Sequence, residues 1–576
     1  MAPDDDFFDL GGDSLAAVQM SARSREIFGV EVPVQVLFDA PRLGQLSAWL
    51  IEQQRRARAE VESPLGLVVV GSAADDPNRL IRHSERPPAP RLGDDRDVST
   101  LPLSFGQERL WFLDQMGLSG AAYNMGLAVR LEGALDIAAL EATLTELVRR
   151  HESLRTRFEN LDGVGVQVVD PAGVTKLGVE ELGPRQDPAD QEAQIATWIR
   201  DRRSQRFDLE RGPPFRAQLL RLEPQAHVLS VSLHHIVADG WSMGVLRREL
   251  SELYQAHLEE RGSQLSEPDL RYADYALWQR SWLQGETLGR QLDYWRECLS
   301  NAPLVLELPT DRPRPAAASF QGASHRFELP EELTTRLRGL ARREGATLFM
   351  ALLAGFQAIL SRWSRQSEVV VGTSVAGRAH RQLEGLIGFF TNTLALRTRV
   401  DEGDSFQTLL RRVRETSLEA YAHQDMPFEK LVAELAPSRD LSRAPIFQAM
   451  CVLQNAPAEP LNFAGLKTTA VSDDVVTVKH DLTLMAWETG PGLRLTLDYA
   501  TELFDEATVA RFAQHLVRLF EQVSQEPELR LAAVDLLSAE ERHQVVEAWN
   551  ATDAAYPRDL CVHQLFEAQV LRDPEA

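Results

Sequence analysis

The stretch from Val228 to His257 constrains the chain more than any other. Val228, Leu229, Val231 and Leu233 are mostly β-formers and predict a strand. Leu246, Leu250, Leu253 and His257 recur at helical spacing and predict an amphipathic helix. Between them lies Ser232-Leu-His-His-Ile-Val-Ala-Asp-Gly-Trp241. Two adjacent histidines, His234 and His235, therefore sit at a strand end. Asp239 and Gly240 form the turn that leads into the helix. On a regular strand neighbouring side chains point to opposite faces, so only one of the two histidines can project into a site. The other is expected to hydrogen-bond behind it. At 576 residues the chain is long enough for about three or four domains.

Composition removes several classes of function. The net charge is −24, which argues against non-specific binding to nucleic acid or to an anionic membrane. Cys298, Cys451 and Cys561 match no metal or redox spacing, so no metal site and a reduced, cytoplasmic setting are expected. The N-terminus has no basic or apolar run and reads as no signal peptide. The longest apolar run, Phe349 to Leu360, spans about 12 residues against the roughly 20 that a bilayer needs. No Gly-rich phosphate loop stands in a strand–helix setting. Gly372-Thr-Ser-Val-Ala-Gly377 places a serine between glycines but is not a nucleophile elbow.

Taken in order, the chain opens on Asp6-Phe-Phe-Asp-Leu-Gly-Gly-Asp-Ser-Leu15. Helical spacing of Leu15, Val18 and Ala22 makes Ser14 an N-cap hydroxyl on spacing alone. As a whole the string resembles the modification site of the peptidyl carrier domains of nonribosomal peptide synthetases. That resemblance implies a 4'-phosphopantetheine arm, covalently attached at Ser14 by a phosphopantetheinyl transferase. Such domains begin with a further helix, and only about a dozen residues precede Ser14, so 1–57 is expected to be the C-terminal part of a carrier domain. The Pro- and Gly-containing segment 58–97 reads as a linker, with an unplaced short strand at 67–70.

Further strings follow: Ser104-Phe-Gly-Gln-Glu-Arg-Leu-Trp111, Arg150-His-Glu-Ser-Leu-Arg-Thr-Arg-Phe158 and Tyr272-Ala-Asp-Tyr-Ala-Leu-Trp278. Ile387-Gly-Phe-Phe-Thr-Asn-Thr393 reads as a strand or bulged loop. His423-Gln-Asp-Met-Pro-Phe-Glu429 starts a helix behind Pro427, and Arg439-Asp-Leu-Ser-Arg-Ala-Pro445 comes last. Singly, each is more often a capping or packing segment than a site, and His151 and His423 need only pack or cap. Together with His234-His-Ile-Val-Ala-Asp-Gly240 they match, in order, the motif set of nonribosomal peptide synthetase condensation domains.

The resemblance implies an α/β (α+β) fold of two chloramphenicol-acetyltransferase-like lobes forming a pseudo-dimer, at 98–268 and 269–540. A small, truncated helical carrier domain precedes them. Leu537-Ser-Ala-Glu-Glu-Arg542 and Trp549-Asn-Ala-Thr-Asp553 resemble the linker toward a downstream adenylation domain, taken as 541–576. The implied reaction is amide formation. An acyl or peptidyl thioester on an upstream carrier is attacked by the α-amine of an aminoacyl thioester on a downstream carrier, in the same or a neighbouring module. A tunnel open at both ends is expected, with His235 near its middle.

A thioester is already activated and a free α-amine has a pKa near about 8, so no strong base is obligatory. Orientation supplies much of the rate, a proton must leave the amine, and the tetrahedral oxyanion needs a donor. His235 is expected to hydrogen-bond the attacking amine, with His234 in support. Asp239 is either the third member of a relay or a buried carboxylate in a salt bridge. The resemblance favours the salt bridge, with Arg155 as its partner. Gly240 would keep backbone close to the acceptor channel. Asn392 would line the tunnel and support the site, while Trp241 and Trp278 would pack. Alternatives are an epimerisation domain of the same superfamily and a non-catalytic condensation-like fold that recruits other enzymes. Asp239-Gly-Trp-Ser-Met-Gly-Val-Leu246 and His480-Asp-Leu-Thr-Leu484 look more like domains that accept a D-configured donor. No epimerisation domain lies between carrier and condensation lobe, and an achiral glycine donor would reconcile the two.

Overall fold

A computed structural model describes residues 2–61 apart from 9, 11, 29 and 31. It also describes residues 101–575 apart from 118–119, 184–187, 436–439, 441, 456–459, 472–475, 491, 554 and 556. The strand expected at 67–70, nearly all of the 58–97 linker, and Arg439 and Leu441 of the last string lie outside these residues. The chain divides into two compact units, Met1–Val534 and Asp535–Ala576. In the second, Ser538 caps the Ala539–His543 helix, and the Val562–Arg572 helix leaves Val562, Phe566 and Leu571 exposed.

Within the first unit the predicted two lobes are present, each a mixed sheet with helices. The first lobe is built on a five-stranded sheet. Its order is Lys467–Ala470, Asn124–Glu132, Ala226–His234, Phe215–Glu223 and Gly178–Glu181. The predicted strand is its centre, antiparallel to both neighbours, and every residue from His227 to His234 is buried. The Ile137–Arg150 and Gly240–Leu258 helices pack on one face. Leu140, Leu144 and Leu147 from the one and Leu246, Leu250 and Leu253 from the other form one core with Leu229, Val231 and Leu233. Burying each such leucine is worth about 1.5–3 kcal/mol.

The second lobe carries a seven-stranded sheet. Its order is Asn392–Arg399, Glu368–Val375, Ala449–Gln454, Leu482–Thr489, Gly492–Ala500, Gln321–Leu329 and Val476–Thr477. The apolar run at 349–360 is the heart of the Leu348–Ser364 helix and is wholly buried, a core helix of this lobe. Among the described residues no single helix is long and apolar enough to cross a membrane.

One strand departs from a simple division at residue 269. Lys467–Ala470 leaves the second lobe and pairs antiparallel with Asn124–Glu132 of the first, Lys467 facing Glu132 and Ala470 facing Val129. Periodicity does not show this crossing, because a short strand on a sheet edge carries too few apolar residues to set a pattern.

Ahead of the lobes, residues 2–61 form the helices Ser14–Phe28, Val34–Asp39 and Leu43–Val61. Leu37 and Phe38 are buried, and Phe8 packs against Phe38 with ring centroids 4.9 Å apart. The last helix runs a few residues beyond the expected carrier boundary at 57.

Candidate active site

The strand ends at His234, whose Nδ1 accepts from Ile236 N at 3.1 Å and closes a 3-10 turn over His235–Val237. His235 N donates to the carbonyl of Tyr123 at 2.8 Å. Asp239 then caps the Gly240–Leu258 helix, accepting from Ser242 N at 2.8 Å. His235 is thus pinned on both sides, with its ring half-buried and its edge toward Phe389 at a centroid distance of 4.9 Å. His234 is buried and turned back into the turn.

Burial, then the positive charge of Lys479, pushes His235 down to about 4, against an upward pull from Asp239. Burial, then neighbouring positive charge, pushes His234 down to about 3. Both rings are neutral at neutral pH, so His235 can take a proton. Its Nδ1 is buried without a hydrogen-bond partner among the described residues.

Asp239 is completely buried and held from both lobes. Arg378 Nη2 donates to Oδ1 at 3.0 Å, Phe390 N donates to Oδ2 at 3.0 Å, and the Ser242 hydroxyl donates to Oδ1 at 2.7 Å. Burial raises the Asp239 carboxyl, but Arg378 and these bonds outweigh it and hold the group below the ordinary aspartate range. Four donors, two of them from Ser242, make it a fixed anion in a salt bridge. The partner is Arg378, however, and not Arg155. Arg155 bonds the carbonyl of Asp170 and reaches Glu152 at 3.4 Å, which ties its own turn to the neighbouring strand. Arg378 lies 139 residues from Asp239 in sequence, in the opposite lobe, and bonds the carbonyls of Leu383 and Leu386 as well. It follows Gly377, whose φ of 64° and close approach to the Phe390 carbonyl (2.0 Å from a Cβ built there) admit only glycine.

The 386–392 segment is where the sequence strings meet. Ser153 donates to Ile387 O at 2.7 Å, and Ile387 N donates to His151 Nδ1 at 3.4 Å. His151 Nε2 in turn bonds Glu249 at 2.8 Å, beside buried Arg150. Gly388 N donates to Ser242, Tyr272 OH donates to Phe389 O at 2.6 Å, and Ser104 bonds the same phenol at 2.8 Å. Asn392 donates to Gln424 O and Met426 O at 2.8 and 2.7 Å and accepts from Phe428 N. Its amide therefore fastens the His423 string to this loop. His423 itself stacks on Tyr294 at 3.8 Å. Trp278 stacks on Trp282, and Trp241 packs while donating to Glu384 O at 2.8 Å. Gly240 is exposed, and a Cβ there would meet no atom of the described residues within 4 Å, so the fold itself does not require glycine at this position.

Ser14 is the first residue of its helix, but the cap is Asp13, whose Oδ1 accepts from Ala16 N at 2.7 Å. The capping expected of Ser14 falls to its neighbour, and the Ser14 hydroxyl turns outward to within 3.0 Å of Thr347 Oγ1. Asp13 also accepts from Asn455 at 2.8 Å. Ser14, Asp13, Thr347, Arg378, Phe389 and Asn392 all line one cavity of about 370 Å³. A serine hydroxyl at a helix start, open to a cavity, fits a phosphodiester, since the helix N-terminus favours an anion.

Comparison with known proteins agrees with this layout. The condensation-domain family model matches residues 98–546, and the phosphopantetheine-attachment-site model matches residues 1–50. The chain is 45% identical over 562 residues to a linear gramicidin synthase of Brevibacillus parabrevis, covering 97% of this chain and 7% of that protein. It is 39% identical over 573 residues to malpinin synthetase of Mortierella alpina, covering 99% of this chain and again 7% of the other. The chain thus spans a small part of the length of these relatives. Among solved structures it is similar to the X-domain in its complex with OxyB from teicoplanin biosynthesis. That match has a TM-score of 0.72 and 31% identity, and covers 79% of this chain and 99% of the other. A four-domain nonribosomal peptide synthetase bound to AMP and glycine shares the fold, with a TM-score of 0.69 at 23% identity over 77% of this chain and 34% of that one.

Proposed function

The chain belongs to the condensation-domain family of nonribosomal peptide synthetases, and on that premise we propose that it forms amide bonds between carrier-bound substrates. The acyl or peptidyl group of an upstream carrier passes to the α-amine of an aminoacyl group on a downstream carrier. The carrying observation is that Ser14 and Phe389, the residue against His235, line the same cavity. The arm attached at Ser14 would present its acyl group as a thioester, already activated toward amines.

The protein's own residues then orient and move a proton. His235, neutral and pinned by Tyr123, takes or directs the proton of the attacking amine. His234 shapes the turn beneath it. Asp239 and Arg378 fix the turn to the opposite lobe, and Gly240 leaves clearance for the acceptor. Phe389 stands between the Ser14 cavity and the imidazole, so its ring must yield to an incoming acyl group. The domain division follows: carrier part at 1–57, linker at 58–97, two lobes at 98–268 and 269–540, and a linker at 541–576 toward an adenylation domain. Partners are carrier domains, that adenylation domain and a phosphopantetheinyl transferase, in the cytoplasm.

A second reading has one specific support: the X-domain that this chain is similar to is seen in a complex with OxyB, so the same fold serves as a binding partner there. A single assay separates the readings. The chain is mixed with a donor-loaded carrier domain and an aminoacyl-loaded carrier domain, and the carrier-bound products are released and read by mass and chirality. A new amide supports condensation. Inversion of the donor α-carbon without an amide would mean epimerisation, and neither product would leave a binding role. Glycyl, L- and D-donors in parallel test the glycine reading, which a clear preference for a bulky L-donor overturns.

A further inference from the structure

A lysine ammonium stands beside the two histidines without an anionic partner among the described residues. Lys479 follows the Val476–Thr477 strand and is half-buried. Its Nζ lies 4.1 Å above the ring of Tyr123, the residue whose carbonyl holds His235. That ring in turn sits 6.3 Å from the ring of His234, so lysine, tyrosine and the histidine pair form one cluster. The other cations of this region are occupied. Arg109 pairs with Glu429 at 3.3 Å, Arg206 with Asp114 at 3.0 Å, and Arg378 with Asp239 at 3.0 Å. Among the described residues Lys479 has no hydrogen-bond acceptor and no carboxylate. The face of Tyr123 is the one contact the structure gives its ammonium among the described residues.

The reaction proposed above has one requirement that none of the residues named so far meets. When the amine nitrogen attacks, its lone pair forms the C–N bond and the carbonyl π pair moves onto oxygen. The proton released from nitrogen goes to His235. Collapse restores the carbonyl and expels sulfur as a thiolate, which takes up the proton held by His235. His235 serves the nitrogen, so the oxygen needs a separate donor. We propose that Lys479 is a catalytic residue of this site, whose ammonium donates a hydrogen bond to the oxyanion of the tetrahedral intermediate. The assignment rests on the condensation reading.

The cluster supports the division of labour. The positive charge of Lys479 lowers both histidines, which keeps His235 able to accept a proton while the lysine remains a donor. Burial, aided by Arg109, lowers Lys479 itself to about 7, which brings its acidity into the range where it can share a proton with an oxyanion.

The test compares the chain with K479M and K479R in two measurements. One is single-turnover amide formation between carrier-bound substrates. The other is binding of two inert ligands, a pantetheinyl phosphonamidate that mimics the tetrahedral intermediate and the planar amide of the same length. K479M is expected to slow transfer about 100-fold or more and to weaken the phosphonamidate by at least 10-fold, with the planar amide unchanged. K479R, which keeps the charge, should recover part of both. Equal phosphonamidate affinity in wild type and K479M overturns the assignment. So does equal loss of both ligands with an unchanged melting temperature, because it would make Lys479 a general binding residue. If wild type itself fails to prefer the phosphonamidate and forms no amide, it is the condensation reading that falls. K479R guards against a folding defect: if both variants melt early and lose both ligands, Lys479 is structural and the assignment is wrong.

Discussion

Two seams run through the first unit, and they are built in opposite ways. At the heart of the seam between the lobes one ion pair is buried: Arg378 and Asp239 are 1% and 0% exposed at their side chains, and Ser242 and Phe390 also donate to the carboxylate. Between the N-terminal helices and the second lobe, the charged contacts are half-open. Arg414 meets Asp39 at 2.6 Å with Asp39 56% exposed, and Arg23 meets Glu384 at 3.3 Å with Arg23 51% exposed. A buried pair costs about 3–5 kcal/mol to break from one side, because the remaining charge is stranded. An exposed pair is worth about 0–1 kcal/mol and weakens with salt. The buried pair is therefore the costlier of the two to separate, and the exposed pairs the more sensitive to salt.

Breaking the closed seam gives the largest effect. R378A or D239A should lower unfolding free energy by about 3–5 kcal/mol in urea denaturation and abolish transfer. A near-wild-type midpoint for R378A would mean the lobes are held elsewhere. R155A, which leaves Asp239 untouched, should cost far less.

H235A should lower transfer by about 10²–10⁴-fold, as loss of a proton-handling group does, with the melting temperature nearly unchanged because the ring is half-buried and its Nδ1 has no hydrogen-bond partner among the described residues. The acid limb of wild-type transfer should not reflect His235 above about pH 5, since its folded value is about 4. A limb near 6.5 that vanishes in H235A would refute the neutral, depressed histidine.

His234 gives a pH test of the same core. Its folded value, about 3, lies below the ordinary 6.5, so protonation favours the unfolded chain. Stability is complete above about 6.5 and falls as pH drops toward 3, by about 1.4 kcal/mol per unit, or about 3 kcal/mol by pH 4. H234N, which keeps an acceptor for Ile236 N, should flatten that part of the stability–pH curve. The smallest effect belongs to the open seam: R414E should change stability by less than about 1 kcal/mol while weakening docking of the N-terminal helices in a salt-dependent way, read by hydrogen exchange of the Val34–Asp39 helix.

What is legible in the sequence is local. The strand, the histidine pair, the turn at Asp239 and the helix lie within 33 consecutive residues, Ala226 to Leu258, and each obeys a short-range rule. The family resemblance adds the strings that converge on the 386–392 segment. Partnerships across the chain are not legible. Asp239 asks for an arginine, but one sequence does not say which, and Arg155 is passed over for a residue in the other lobe. Spacing makes Ser14 a cap because it cannot separate N-cap from first turn, and Asp13 competes for the same bond. Lys479 directly precedes the His480 string, yet an unpaired charge is visible only once its neighbours are placed. A serine at 242, repeating the cap pattern Asp-x-x-Ser, is the one missed group with a local signal.

The Lys467–Ala470 strand has a practical consequence for anyone rebuilding such assembly lines. The first lobe does not own a finished sheet, because one of its five strands comes from the second lobe. Excising residues up to 268 would leave Asn124–Glu132 with a row of unmet backbone donors and acceptors, an open edge that invites aggregation. Exchanging one lobe for a homologue's would ask a foreign ribbon to match the register of Lys467 on Glu132. The smallest portable module is therefore the lobe pair with its crossing strand, and swap points belong outside it, in the segments before residue 101 and after residue 534.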